Sequence, residues 1–134
     1  MSSEEKFKGL IGHIHLSLLK PLGFKKSGQT FRKIAESDGI TYGYLINFQR
    51  SAYNDSSELK FTVNLARKKS ETGIDPKFKG YECGIDGQER LAFLTDKYGF
   101  DKWWSITSET DMISLEEELL FLLRVAAFPW FGIQ

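Results

Sequence analysis

The sequence predicts a single α+β domain, residues 1–134, in which an antiparallel sheet of about five strands carries an N-terminal and a C-terminal helix on one face. Three observations lead there. Between Gln29 and Arg67 the chain alternates with a period of two: Tyr42, Tyr44, Ile46 and Phe48 fall on one face of a strand and Thr41, Leu45, Asn47 and Gln49 on the other. The next strand repeats the pattern, with Leu59, Phe61, Val63 and Leu65 opposite Lys60, Thr62 and Asn64. The connections between these runs are short and polar, which makes neighbouring strands antiparallel, and each end of the chain carries an apolar stripe at helical spacing.

From about Ser3 to Lys20, Phe7, Leu10, Ile11, Ile14 and Leu18 form the stripe of an amphipathic helix, and Pro21 ends it. Leu22 to Gly28 turns the chain into a first strand, Thr30 to Ala35. Gly23 to Thr30 is one residue away from a phosphate-binding loop, but it follows a helix and opens a strand, the reverse of what that loop requires. Glu36-Ser37-Asp38-Gly39 ends in an Asp-Gly pair that tolerates the positive backbone angles of a hairpin, and Asn54-Asp55-Ser56-Ser57 is a second polar reversal. Beyond Arg67 a long stretch to Gln88, punctuated by Gly73, Pro76, Gly80, Gly84 and Gly87, shows no period and is expected to be the least structured part.

Two further strands are expected at Arg90–Leu94 and Lys102–Thr107, joined by a hairpin loop over Asp96–Asp101. In the second, Trp104 shares parity with Ile106 and Phe100, so Trp103 and Trp104 face opposite ways and only Trp104 keeps core company. Ser114-Leu115-Glu116-Glu117 reads as a capping box that starts the last helix. That helix is expected to stop before Pro129, with Phe128-Pro129-Trp130-Phe131 packed back on the body.

With 134 residues the chain suits one core, and 41% hydrophobic against 27% charged residues is the balance of a folded domain. Lys plus Arg equals Asp plus Glu at 18 each, so no bulk positive field draws nucleic acid or an anionic membrane; neither is expected as a partner. The lone Cys83 cannot form an internal disulfide, the first residues lack a signal-peptide pattern, and no apolar run is long enough to span a bilayer, so a cytoplasmic protein is expected.

Few residues propose chemistry. His13 and His15, the only histidines, sit two apart on a helix and diverge, and neither they nor Cys83 make a plausible metal site; no cofactor, metal or catalytic residue is expected. No serine or cysteine is placed beside a histidine and an acid by the sequence. What remains is a polar sheet face bearing Asn47, Gln49, Thr62 and Asn64, expected to be bordered by Arg50, Arg67, Arg90 and Trp103. An ordinary solvated face is the simpler account of it. A recognition surface is the other, because arginine and tryptophan are enriched at binding hot spots.

The order of short segments resembles a known family. The initial helix followed by Pro21-Leu22-Gly23-Phe24-Lys25-Lys26, then Thr30-Phe31, Asn47-Phe48-Gln49-Arg50-Ser51, Phe61-Thr62-Val63-Asn64-Leu65, Cys83, Glu89-Arg90-Leu91 and Asp101-Lys102-Trp103-Trp104 are similar to a family of small, mostly bacterial proteins known only as the domain of unknown function numbered forty-three-oh-four. The resemblance covers nearly the whole chain and implies an α+β domain, with no activity to carry over. Gly84-Ile85-Asp86-Gly87 departs from the family pattern, being rich in glycine where the resemblance implies more polar or basic residues.

The functional expectation is a non-catalytic binding protein whose partner is another protein, of the scale of a toxin-immunity module. The rival is a small-molecule sensor or enzyme with a pocket between the sheet and the 73–87 loop, and a third reading, a single-stranded RNA binder using Trp103, is opposed by the neutral charge balance.

Overall fold

The computed structural model describes residues 1–133. Helix α1, Ser3–Ile14, begins at Ser2, whose Oγ accepts from the Glu5 N–H at 3.1 Å while the Glu5 carboxylate accepts from the Ser2 N–H at 3.2 Å. A wide π-type turn, His15–Leu19, continues it to the proline, and Phe7, Leu10, Ile11, Ile14 and Leu18 are all buried as the stripe predicts. Six antiparallel strands follow: β1 Lys25–Ser27, β2 Thr30–Ser37, β3 Ile40–Arg50, β4 Leu59–Ser70, β5 Gln88–Arg90 and β6 Trp104–Ile106. The short β1, within the segment expected to turn the chain into its first strand, pairs with β2 across Gly28. The β2–β3 hairpin turns on Asp38 and Gly39, with φ of 53° and 80°, the conformation an Asp-Gly pair favours.

The sheet runs β1-β2-β3-β4, and β5 and β6 share the outer edge of β4, at Asn64–Ala66 and Leu59–Phe61 respectively. The expected Arg90–Leu94/Lys102–Thr107 hairpin is therefore incorrect: the two strands do not pair with each other, and Leu91–Leu94 is a 3-10 turn with Leu91 and Ala92 buried. Four apolar residues in a row give no alternation for a strand to follow, and the turn buries Leu91 and Ala92 while Phe93 stays exposed.

The C-terminal helices also correct the sequence reading. Helix α2, Met112–Leu122, starts one turn before the expected box, because the Asp111 carboxylate accepts from the Ile113 and Ser114 N–H groups at 3.1 and 3.2 Å and from the Ser114 hydroxyl at 2.9 Å. Nor does the helix stop before Pro129. A π-type turn at Leu123–Ala127, closed by Phe128 N–H to Leu123 C=O, leads into α3, Phe128–Phe131, with the proline in its first turn, where a missing N–H is tolerated. Gly132, at φ 83°, closes it, and Phe128 and Phe131 are buried as expected of the tail.

Both terminal helical segments lie on the face of Tyr44, Ile46, Phe48, Phe61, Val63 and Leu65, all six of them buried in one continuous core with α1, α2 and α3. Trp104 belongs to this core and ties it to α2: its Nε1 donates to Glu118 at 2.8 Å, and the same carboxylate accepts from Lys97 Nζ at 2.5 Å and Tyr98 OH at 2.8 Å. Burial alone raises the Glu118 carboxyl, but these three donors outweigh it and hold it below the ordinary carboxylate value. A carboxyl lowered on folding contributes stability that is complete above the unfolded value of about 4.3 and is lost as pH falls through the lower folded value. Glu118→Gln is therefore expected to lower the melting temperature at neutral pH, by about 1 to 3 kcal/mol of stability, with the gap to wild type closing below that range. Melting curves that stay parallel down to acid pH would contradict it.

Candidate functional site

The second face of the sheet is not open to water throughout. The stretch from Arg67 to Gln88 is not the least structured part: β4 extends to Ser70, and residues 71–87 cross this face, with Phe78 buried against Leu45 and Ala66 and Gly80–Cys83 forming a 3-10 turn. Gly43 makes this possible, since a Cβ there would stand 3.1 Å from the Phe78 ring. Gly87 fixes the return, because a Cβ would meet the Cys83 and Arg67 carbonyl oxygens at 2.1 and 2.6 Å, while its own carbonyl accepts from the Arg67 N–H at 2.8 Å. Arg32 Nε donates to the Phe78 carbonyl at 2.7 Å and ties β2 to this roof.

Between roof and sheet lies a cleft of about 730 Å³, within the usual range for ligand sites. Its floor is set by strand register, which places Thr30, Asn47, Asn64 and Arg90 side by side across β2, β3, β4 and β5. The side chains join laterally: Asn64 Nδ2 donates to Gln49 Oε1 at 2.7 Å and to Asn47 Oδ1 at 3.3 Å, and Asn47 Nδ2 donates to Thr30 Oγ1 at 2.8 Å. Arg32, Lys79, Gly80, Tyr81, Gln88 and Glu89 complete the wall.

Of the residues chosen from sequence, Asn47, Gln49, Asn64 and Arg90 line this cleft. Trp103 stands just beyond it, half-buried, with the Arg90 guanidinium 5.2 Å from its ring centre; Asp101 accepts from Arg90 at 2.5 Å and from Trp103 Nε1 at 3.4 Å. Arg50 and Arg67 are elsewhere. They continue the parity of Phe48 and Leu65, so they emerge on the helix side. Arg50 pairs with Glu4 at 3.1 Å over the Phe7 ring, and Arg67 stacks 4.0 Å above Trp130 and donates to its carbonyl. Thr62 is fully buried and donates to the Lys102 carbonyl at 2.8 Å, so it is structural.

The residues missed, Thr30, Arg32, Lys79, Tyr81, Gln88 and Glu89, fall in two groups. Thr30 was within reach, because counting back from the two-residue turn at Asp38-Gly39 pairs it with Asn47. Lys79 and Tyr81 were not, since their position depends on the path of the loop, whose one trace in sequence is a glycine in mid-strand.

Cys83 does not line the cleft. Its thiol lies against the Lys79 carbonyl at 3.6 Å, and burial pushes its pKa up, which disfavours the thiolate. The histidines are also remote: His13 is exposed and meets Glu116 at 3.1 Å, while His15 is half-buried with Nε2 3.3 Å from the Phe24 carbonyl. Among the described residues no three His, Cys, Asp or Glu side chains gather in a way that could hold a metal ion, and no helix is long and apolar enough to cross a membrane.

Fold and cleft together define an α+β domain with an antiparallel sheet whose polar face is partly roofed by its own loop. Residues 16–133 match the family model described as a domain of unknown function, DUF4304, and the chain belongs to that family. No curated protein and no solved structure matches it.

Proposed function

We propose that the protein is a non-catalytic binding module that takes a small polar ligand into the cleft between the sheet and the 71–87 loop. The carrying observation is the carboxamide row. Asn64 Oδ1 and Gln49 Nε2 have no protein partner among the described residues, so a linked set of side chains, each held by its neighbour, presents an unpartnered carboxamide oxygen and an unpartnered carboxamide nitrogen to a concave space. A plain solvated face has no need of that order or of a roof. The lining holds no histidine or cysteine to act as base or nucleophile, which favours binding over chemistry. The reading places the protein in the cytoplasm, in keeping with a single cysteine that has no internal disulfide partner.

A protein partner, as for an immunity-type module, is the second reading, favoured by the rim. Tyr81 is 77% exposed and the Arg90–Trp103 stack borders the same opening, and these are residue types that dominate binding energy at interfaces.

Thermal melting against a panel of amino acids, short peptides, dicarboxylates and nucleotides tests the first reading. At least one compound is expected to raise the melting temperature of wild type and to leave Asn64→Ala, compared at its own baseline, unshifted. A panel without effect, or a shift that Asn64→Ala retains in full, would contradict it.

A further inference from the structure

We propose that the ligand of this cleft is the C-terminal end of an extended peptide, with its terminal carboxylate on Arg32 and Lys79 and an amide further up the chain on the carboxamide row; this rests on the reading of the cleft as a ligand site. The charge pattern comes first. Of the cleft's cations, Arg90 is already paired with Asp101, and the acid Glu89 accepts from the Arg90 backbone N–H at 2.9 Å. Arg32 and Lys79 make no ion pair among the described residues, although Arg32 is half-buried. Its Nε is held by the Phe78 carbonyl, which orients the guanidinium and leaves its two terminal nitrogens for a carboxylate.

The second half of the ligand follows from the row. A secondary amide offers one N–H and one C=O, the complement of the free acceptor on Asn64 and the free donor on Gln49. Reversing every carboxamide along the row exchanges which residue donates, and still leaves one donor and one acceptor, so the match does not depend on how the amides are assigned. Asn64 lies two strands across from Arg32 and two residues along, about 12 Å. An extended peptide covers that distance in about three to four residues, which sets the amide on the row about three positions before the carboxylate. An anion carried next to its only polar group would be too short to engage both ends.

The test is a titration of the isotope-labelled full chain, followed by the amide signals of Arg32 and the side-chain amides of Asn47, Gln49 and Asn64. The probes are N-acetyl-trialanine with a free carboxylate, the same peptide ending in a carboxamide, unacetylated trialanine, and adenosine monophosphate. Saturable shifts at these four residues are expected with the free carboxylate, with binding at least tenfold weaker for the carboxamide. Binding to Arg32→Gln is also expected to be at least tenfold weaker, with Arg32→Lys recovering part of the loss; melting curves confirm that the variants are folded. Weaker binding of the unacetylated peptide points to the tail of a longer chain and tighter binding to a free tripeptide, and both keep the proposal. Equal binding of carboxylate and carboxamide overturns it. Shifts with the nucleotide alone overturn the peptide assignment but leave the cleft as a ligand site, whereas no shift with any probe removes both.

Discussion

Phe61→Ala is expected to lower the free energy of unfolding by about 3 to 5 kcal/mol, the range for deleting a fully buried aromatic side chain. Phe61 sits in β4 with no exposed surface, and its ring is 5.2 Å from Phe7 of α1, 6.2 Å from Phe48 of β3 and 5.9 Å from Trp104 of β6. It is the residue at which the first helix, the sheet and the last strand meet. None of these rings can move into the vacancy without leaving its own packing, so collapse is limited and the cavity cost is retained. Denaturant unfolding measures it directly. A loss below about 1 kcal/mol would mean that this face is solvated.

The second large effect separates the adjacent tryptophans. Trp104→Ala is expected to cost about 3 to 5 kcal/mol, or more, because it removes a buried indole and also takes one donor from Glu118, leaving that lowered carboxylate less satisfied beside the core. Trp103→Ala removes a half-buried ring whose main partner is a guanidinium at 5.2 Å, and a loss of about 1 kcal/mol is expected. If the Arg90–Trp103 stack does meet a partner, its removal also weakens that binding by about 2 kcal/mol or more, the scale of a hot spot. Thermal melts of the two variants settle the structural half. Equal destabilisation would show that both rings are structural and would remove Trp103 as a binding anchor.

The legible part of this fold is the part governed by local period and local turns. Alternation along β3 and β4 identified the buried face, because a strand has only two faces and Phe48 or Phe61 can occupy only one. Asp38-Gly39 fixed the first hairpin register by chain chemistry alone. The ten residues between Arg50 and Phe61, paired partners in the sheet, are too many for a turn to fix register. That is why the Asn47–Asn64 juxtaposition at the heart of the cleft was not readable, although both residues had been assigned to the same face.

Other misses have the same origin. The strand expected at Lys102–Thr107 is present as β6, but it and β5 pair with the free edge of β4 and not with each other, a tertiary circumstance that their own residues do not encode. The order of the 71–87 segment depends on Phe78 finding Gly43, thirty-five positions away in the chain. By contrast, the positions of Arg50 and Arg67 were available from parity, and counting along β3 and β4 puts both with the core-facing residues.

The most direct test of the central claim, that the polar sheet face is an organised site, needs no ligand. In the free protein, the side-chain amide protons of Asn64 and Asn47 are expected to exchange with water much more slowly than those of asparagine in an unstructured peptide, with the Asn64 pair the slower because it donates to both Asn47 and Gln49. Substituting Gln49 with alanine should speed the Asn64 exchange and leave the melting temperature nearly unchanged. Side-chain amides that all exchange at the unstructured rate, indifferent to that substitution, would show an ordinary solvated face and contradict the account.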